Sequence, residues 1–208
     1  MEGDKWLALA REMFTLSQAG LAYNQNEFDL QRYRRFQELS AELVANHSQL
    51  SQEQVREQFS MQHGYPTPKV DVRAAVFVDG KVLLVREVVD GRWSMPGGWA
   101  DIGEGPAQMA VREVREESGF DVRVDKLAAV YNHNTDQPWL EFFHAYKMVF
   151  LCSLAGGQAR GSFETSEVGF FGLEDLPPLS EGRTRLYMLR EALAHLHEPG
   201  RPTYFDQP

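Results

Sequence analysis

The pattern of apolar and polar positions changes character near residue 65. Before that point, apolar side chains recur at helical spacing, with aromatic residues such as Phe14 and Phe36 on the apolar stripes. Residues 65–69, with the sequence YPTPK, contain two prolines that interrupt this periodicity. The sequence therefore predicts a small helical domain over residues 1–65, followed by a second domain over residues 66–208.

The second part of the chain alternates short apolar runs with turn residues. The run VDVRAAVFV is followed by Asp79-Gly80 and then by KVLLVREV, and an Asp-Gly pair between two such runs is typical of a β-hairpin. More strand-like runs follow a central helical segment, and residues 186–196 predict a terminal helix. This order of strands, helix, strands and helix indicates a domain of the α/β class.

Composition and charge narrow the classes of function. The chain has 208 residues and a formal net charge of −9, which argues against a general nucleic-acid-binding surface. Its single cysteine, Cys152, lies in an apolar run and is expected to be a buried strand residue. The N-terminus lacks the pattern of a signal peptide, and no apolar stretch approaches the length that spans a membrane. We therefore expect a cytoplasmic protein.

The most informative segment is residues 98–120, GWADIGEGPAQMAVREVREESGF. Pro106 suits the first turn of a helix, and a helix from there places Glu113, Glu116 and Glu117 on one side. Three carboxylates crowded in this way repel one another unless a cation lies among them. Hard oxygen ligands point to Mg²⁺ or Mn²⁺.

An acidic run of this kind is usually a solvated helix face, but the surrounding residues argue against that interpretation. The Gly-Gly pair before the helix lets the backbone approach closely, and Gly119 can end the helix in the left-handed conformation. Arg112 adjoins Glu116 on the helix surface and could reach back to the loop acid Glu104. The loop, the helix and its end therefore agree on one structure.

The spacing of these residues resembles the signature sequence of the Nudix hydrolases, and every defining position is matched. The resemblance implies an α/β/α sandwich with a mixed sheet, here preceded by a small all-α domain. Nudix enzymes hydrolyse a nucleoside diphosphate linked to another moiety, with divalent cations held by the signature glutamates. Such cations neutralise the charge of the pyrophosphate and activate a bound water.

The resemblance also implies roles for individual residues. Metal ligands are expected among the glutamates and a backbone carbonyl near the Gly-Gly pair, namely Glu113, Glu117, Glu116 and Gly97 or Gly98. Glu116 is alternatively a water-orienting group, and Arg112 supports catalysis by holding the loop against the helix.

A narrower resemblance extends over nearly the whole chain. The N-terminal helices and the segments TPKVDVRAAVF, GRWSMPGGWAD and DLPPLSEGRT are similar to bacterial Nudix enzymes that carry a small helical N-terminal domain. Within that group the chain looks most like CDP-choline pyrophosphatases and relatives that act on ADP-ribose. The resemblance does not fix the substrate.

Residues outside the signature segment are further candidates. In relatives, a glutamate from a late loop often serves as general base or extra ligand, a role that Glu164 or Glu167 would take here. Arg73 and Arg92 flank the segment and could contact phosphate. Three aromatic residues could stack on a base, namely Tyr131, Trp139 and Phe143.

The sequence thus predicts a divalent-metal-dependent hydrolase that cleaves the pyrophosphate bond of a small nucleoside diphosphate derivative such as CDP-choline or ADP-ribose. Two alternatives stay open: a hydrolase of RNA ends, which the lack of a basic stripe disfavours, and a non-catalytic nucleotide-sensing module. The aromatic residues of the helical domain exceed what so small a bundle buries. We therefore expect a homodimer to which residues 1–63 contribute.

Overall fold

The computed structural model describes residues 5–61, 63–133 and 144–206, which form two compact units. The first unit comprises the described residues up to Pro68 together with His144. The second comprises the other described residues, from Lys69 onwards. The boundary between folding domains that the sequence places after residue 65 stays a prediction.

The first unit is helical, with α1 (Lys5–Tyr23), α2 (Glu27–His47) and α3 (Gln52–Ser60). Asn26 caps α2 by accepting hydrogen bonds from two backbone N–H groups. At the start of α3, Ser51 Oγ accepts from the Gln54 N–H, and the Gln54 side chain accepts from the Ser51 N–H. The side chains that the three helices bury together are Leu7, Ala10, Phe14, Ala41, Val44, Val55 and Phe59. Leu7, Ala10 and Phe14 lie on the apolar stripe that the sequence predicts for α1. The stripe predicted for α2 is wrong at Phe36, which is 49% exposed, and α2 buries Ala41 and Val44 instead.

The second unit contains one mixed sheet and two helices. Its elements are β1 (Lys69–Val78), β2 (Lys81–Glu87), β3 (Trp93–Ser94), β4 (Gly97–Trp99), α4 (Pro106–Ser118), β5 (Phe120–His133), β6 (Ala145–Gly157), β7 (Thr165–Phe171), α5 (Leu186–His197) and β8 (Tyr204–Phe205). The strand order is β3-β2-β1-β6-β5-β8, with β4 also paired to β1 and β7 to β2. The pairs β1–β6 and β5–β8 are parallel, and the other pairs are antiparallel.

The predicted hairpin between β1 and β2 is confirmed. Asp79 and Gly80 form its turn with φ angles of 50° and 75°, as a type I′ turn requires at both central positions. The turn fixes the register of the first two strands.

Helices cover the sheet on both faces. Along β1, Val72, Ala74 and Val76 pack in the same core as Val114 of α4. Ala75 faces the other way, into the core that contains Leu189 of α5. This arrangement confirms the α/β/α sandwich with a mixed sheet, preceded by helices. Within the described residues, none of the helices has the length and apolar character needed to cross a membrane.

Candidate active site

Helix α4 carries the acidic signature residues and has well-defined ends. Pro106 occupies its first turn, and the Gln108 side chain accepts a hydrogen bond from the Gly105 N–H at 3.1 Å. Gly119 ends the helix with φ 76°, in the left-handed conformation expected from the sequence. The ends of the helix therefore fix where along the sheet its carboxylates lie.

Glu117 is the most deeply buried of these carboxylates, with 6% of its surface exposed. Its Oε2 accepts a hydrogen bond from the Gly97 N–H at 2.9 Å, and its backbone oxygen accepts one from Thr165 Oγ1 at 2.6 Å. Burial raises the pKa of Glu117 to about 8, against the lowering effects of the Gly97 hydrogen bond and the positive charge of Arg73. Repulsion by Glu113 raises the pKa further.

Arg112, in the middle of α4, contacts four carboxylates. Its Nε and Nη2 donate to Glu104 at 3.0 and 2.9 Å, and Nη1 donates to Glu116 at 2.9 Å, so both predicted contacts are confirmed. Nη2 also lies 3.1 Å from Asp101, and Nη1 lies 2.9 Å from Glu113. The hydrogen bond to Glu104 raises the pKa of Arg112. The guanidinium thus ties the preceding loop to the helix.

Glu113 is partly buried, and burial raises its pKa, with Arg112 opposing and Glu116 adding to the shift. Over the described ranges 5–61, 63–133 and 144–206, no cluster of three or more His, Cys, Asp or Glu side chains has an arrangement that could bind a metal ion. The carboxylates instead contact donor groups of the protein. Glu113 and Glu116 pair with Arg112, and Glu117 accepts a hydrogen bond from the Gly97 N–H. Mutual repulsion of the anionic groups favours this separation.

The donor set nevertheless fits a divalent cation. Glu113 and Glu117 lie one helical turn apart and present hard oxygen atoms. Each has a pKa raised by burial, and the negative charge of Glu113 adds to the shift of Glu117. Ionised carboxylates in such a place require a compensating positive charge.

The Gly-Gly pair of β4 lies directly beside this group. Gly97 has φ 137°, and a Cβ there would lie 2.0 Å from the Val72 oxygen, so only glycine fits. A Cβ at Gly98 would meet nothing within 4 Å. The space beside the Gly98 Cα is thus open.

Arg73, predicted to contact phosphate, is buried on β1. Its Nε and Nη2 each donate to Asp71 at 2.9 Å, and its Nη1 donates to the Met95 oxygen at 3.2 Å. Burial opposes its charge, but Asp71 and the more distant Glu117 raise the pKa of Arg73 on balance. In this arrangement the guanidinium holds the loop before Gly97 by its hydrogen bond to Met95, and its positive charge lowers the pKa of Glu117.

Sequence reasoning missed Asp71 and a second buried cation, Lys147 of β6. Lys147 is fully buried, with Nζ 3.4 Å from Asp71 and donating to the Arg183 oxygen at 2.7 Å. The sequence signal that could have found them is the position of charged residues inside apolar runs: Asp71 beside Arg73 in VDVRAAVFV, and Lys147 in YKMVFLCSL. Such residues are paired when they lie in a sheet interior.

The two late-loop glutamates are exposed. Glu167 lies on β7 and pairs with Arg86 of β2 at 2.5 Å. The backbone oxygen of Glu164 accepts from the Val88 N–H at 2.8 Å. Thr165, between them, bonds to Glu117 and so places the start of β7 beside the end of α4.

Two of the remaining predicted residues, Arg92 and Tyr131, lie within the described part of the chain. Arg92 is exposed in the turn between β2 and β3. Tyr131 is buried on the α5 side of the sheet, where its ring contacts Tyr187 and Tyr204, and burial raises its pKa. Trp139 and Phe143 lie outside the described residues.

Two family models match the chain. One, described as a NUDIX domain, matches residues 67–191, and the other, described as a UDP-X-like, N-terminal oligomerisation domain, matches residues 4–59. A Bacillus subtilis protein, provisionally named an ADP-ribose pyrophosphatase, is 39% identical over 97% of both chains.

Solved structures show the same relationship. The crystal structure of an ADP-ribose pyrophosphatase from Streptococcus suis superposes with a TM-score of 0.62 at 39% identity, covering 67% of this chain and 100% of that chain. The crystal structure of a UDP-X diphosphatase has a TM-score of 0.61 at 32% identity, covering 99% of this chain and 100% of the other. The similarity therefore extends well beyond residues 98–120.

Proposed function

Because this chain is a member of the Nudix hydrolase family, we propose that it is a divalent-metal-dependent hydrolase that cleaves the pyrophosphate bond of a nucleoside diphosphate linked to another moiety. The observation that carries this proposal is the pair of carboxylates on α4, of which Glu117 is buried and Glu113 partly buried. Glu113 and Glu117 have raised pKa values and lie one turn apart, and the Gly97 N–H of the Gly-Gly pair donates to Glu117.

The residues of the chain divide the chemical work. Glu113, Glu117 and the Gly98 carbonyl are proposed to hold the cation, with Glu116 as a further ligand or as the group that orients water. When bound, Mg²⁺ or Mn²⁺ would neutralise charge on the diphosphate and act as a Lewis acid. Arg112 keeps the loop at Glu104 against the helix, so that the ligands are positioned before substrate arrives.

The general base is proposed to come from the loop that begins β7. This proposal is supported by the hydrogen bond from Thr165 Oγ1 to the backbone oxygen of Glu117, which brings the start of β7 to the end of α4. Glu164 is exposed, and Glu167 is held by Arg86 at 2.5 Å. The pH–rate profiles of Glu164→Gln and Glu167→Gln would identify the base. Its loss should lower the rate and remove the fall in rate on the acid side of the profile, where the base becomes protonated.

The substrate class is proposed from the relatives. Two proteins at 39% identity are named for ADP-ribose, and a third at 32% identity is named for UDP-X. We propose that the chain acts on a small nucleotide of this type, with CDP-choline as a further member of the class. The net charge of −9 fits such a ligand better than a polyanion.

A substrate panel tests the proposal. ADP-ribose, UDP-sugars, CDP-choline and a capped RNA would be incubated with Mg²⁺ or Mn²⁺ and with EDTA. The proposal requires cation-dependent release of a nucleoside monophosphate from at least one small compound. Cleavage of RNA alone would establish the RNA-end alternative, and binding without turnover would establish the nucleotide-sensing alternative.

We also propose that the protein is a homodimer that its N-terminal helices help to form. The family model that matches residues 4–59 is described as an oligomerisation domain. Leu9, Leu16 and Tyr23, spaced seven residues apart on α1, are more than half exposed, as is Phe28 on α2. Exposed apolar side chains at this spacing fit a helix packed against a second copy.

A further inference from the structure

The segment before α5 lies against the loop that leads to Gly97. We call residues 178–185 the anchor segment. The Trp93 N–H donates to the Pro178 oxygen at 3.0 Å, and the Ser180 N–H donates to the Trp93 oxygen at 2.8 Å. The Met95 N–H then donates to Thr184 Oγ1 at 2.8 Å. The anchor segment thus follows the chain from β3 into the loop.

The loop is held by its backbone at successive positions. Thr184 Oγ1 accepts a hydrogen bond from the Met95 N–H, and Arg73 donates one to the Met95 oxygen at 3.2 Å. The Ala74 N–H donates to the Pro96 oxygen at 2.9 Å. Since Met95 and Thr184 are fully buried, water cannot replace a bond that is lost there.

The next bond reaches the site itself. The Gly97 N–H donates to Glu117 Oε2 at 2.9 Å, two residues after the Met95 N–H donates to Thr184. A shift of the backbone at Met95 would therefore move the Gly97 amide, the carboxylate that it holds and the Gly98 carbonyl together.

The anchor segment is in turn fixed by buried charge. Lys147, which is fully buried, donates to the Arg183 oxygen at 2.7 Å and lies 3.4 Å from Asp71. The Arg183 side chain lies 3.4 Å from Glu87, a buried carboxylate of β2. The backbone and the side chain of Arg183, directly before Thr184, are thus tied to two strands, so Thr184 has little freedom to follow a displaced loop.

We propose that Thr184 is a positioning residue for the cation site: its buried hydroxyl sets the backbone from Met95 to Gly98, and with it the Glu117 carboxylate and the Gly98 carbonyl. This inference rests on the proposed function, because it concerns the geometry of the same ligands. It adds a residue more than sixty positions from α4 that does not itself touch the cation.

Cation affinity separates this role from a purely structural one. Loss of any buried hydrogen bond lowers the melting temperature, but only displacement of the ligands weakens cation binding. Mn²⁺ is the probe, and its dissociation constant is measured from the electron paramagnetic resonance signal of the free ion, without substrate. Hydrolysis of ADP-ribose or another accepted diphosphate is measured alongside.

The variants are Thr184→Val, which keeps the shape but removes the acceptor, and Thr184→Ser, which keeps the hydroxyl. Thr203→Val is the matched control, because Thr203 Oγ1 donates to the Leu127 oxygen at 2.8 Å near β8, at the opposite edge of the sheet. We expect Thr184→Val to weaken Mn²⁺ binding by about 10-fold or more, as residues beyond the ligands commonly do at metal sites. Thr184→Ser should stay within about twofold of the unsubstituted protein, a fifth of that effect or less, and Thr203→Val should leave affinity unchanged.

Equal Mn²⁺ affinity in folded Thr184→Val and in the unsubstituted protein would overturn the proposal. So would equal losses in Thr184→Val and Thr203→Val. If Thr184→Val does not fold, Thr184→Cys replaces it: a thiol is only a weak acceptor for the Met95 N–H, so Mn²⁺ affinity should still fall, and unchanged affinity there would equally overturn the proposal. An unsubstituted protein that neither binds Mn²⁺ nor cleaves a diphosphate would contradict the proposed function, and the positioning role would fall with it.

Discussion

At the scale of single residues, the proposed chemistry depends most on the carboxylate of Glu117. Its burial and its single backbone donor, the Gly97 amide, leave a charge that a cation would stabilise. The same burial makes the ionised group costly when no cation is present. Function and stability should therefore respond in opposite directions when this charge is removed.

Glu117→Gln tests that statement. The amide keeps the shape of the side chain but removes a negative charge, so activity at saturating Mg²⁺ should fall by at least about 100-fold, the upper end of what residues outside the ligand set already cost. The melting temperature without added cation should be unchanged or higher, because a neutral group replaces a carboxyl whose charged form burial disfavours. Glu174→Gln, an exposed position on the same unit, is the matched control. Turnover by Glu117→Gln equal to that of the unsubstituted protein would contradict the assignment.

The two glycines of β4 offer a second test at this scale. In Gly97→Ala the new Cβ would lie 2.0 Å from the Val72 oxygen at a φ of 137°, whereas in Gly98→Ala it would meet nothing within 4 Å. We expect Gly97→Ala to lower the melting temperature strongly and to abolish activity, and Gly98→Ala to fold normally. Differential scanning fluorimetry of the pair measures this difference. A Gly97→Ala protein as stable as Gly98→Ala would show that the backbone at β4 is placed wrongly.

At the scale of elements, the structure gives the single cysteine a defined environment. Cys152 lies in the buried middle of β6, and burial raises the pKa of its thiol to about 12. Because the thiolate is the nucleophile, the native thiol should not react with iodoacetamide at pH 8. Mass spectrometry should find one alkylated cysteine after denaturation and none before it. Rapid alkylation of the native protein would contradict the burial of β6.

Local elements were predictable from the sequence, whereas long-range pairings were not. The Asp79-Gly80 turn, the start of α4 at Pro106 and its end at Gly119 each depend on residues close in sequence, and all three are confirmed. The site around them depends on strand register: parallel pairing places Lys147 opposite Asp71.

The burial of Arg73 shows the consequence for the site. Its sequence position beside the signature segment suggested a phosphate contact, but the neighbours that decide its role, Asp71 and Met95, are set by the fold. The contact between Met95 and Thr184 spans 89 residues, which no local pattern encodes. The identity of the cation ligands remains a prediction of the family resemblance together with this geometry.

At the scale of the whole molecule, the helical unit leaves several large apolar side chains exposed. Leu16, Tyr23 and Phe28 are 63%, 74% and 72% exposed. Pairing with a second copy would remove this surface from water, and twofold pairing is the commonest closed assembly. The helices would then serve assembly, while the unit that begins at Lys69 carries the chemistry.

Sedimentation equilibrium at micromolar concentration tests the assembly. The full chain should sediment at twice the monomer mass of 23.7 kDa. Leu16→Glu together with Tyr23→Glu should shift the equilibrium to monomer, whereas Ala22→Glu, which adds the same charge at an exposed position on another side of the helix, should not. A monomeric full chain would end the dimer proposal. A dimer that persists after removal of residues 1–63 would assign the interface to the other unit.

The central claim is that the carboxylates of α4 hold a cation that supports diphosphate cleavage. Phosphorus-31 NMR of ADP-ribose, UDP-sugar and CDP-choline mixed with the purified protein measures the reaction directly. In the presence of Mg²⁺ or Mn²⁺, the diphosphate resonances of at least one compound should be replaced by two phosphomonoester resonances. EDTA, and separately Glu117→Gln, should prevent that replacement. Diphosphate resonances that persist for every compound with cation present, or cleavage that continues in EDTA or in Glu117→Gln, would contradict the account.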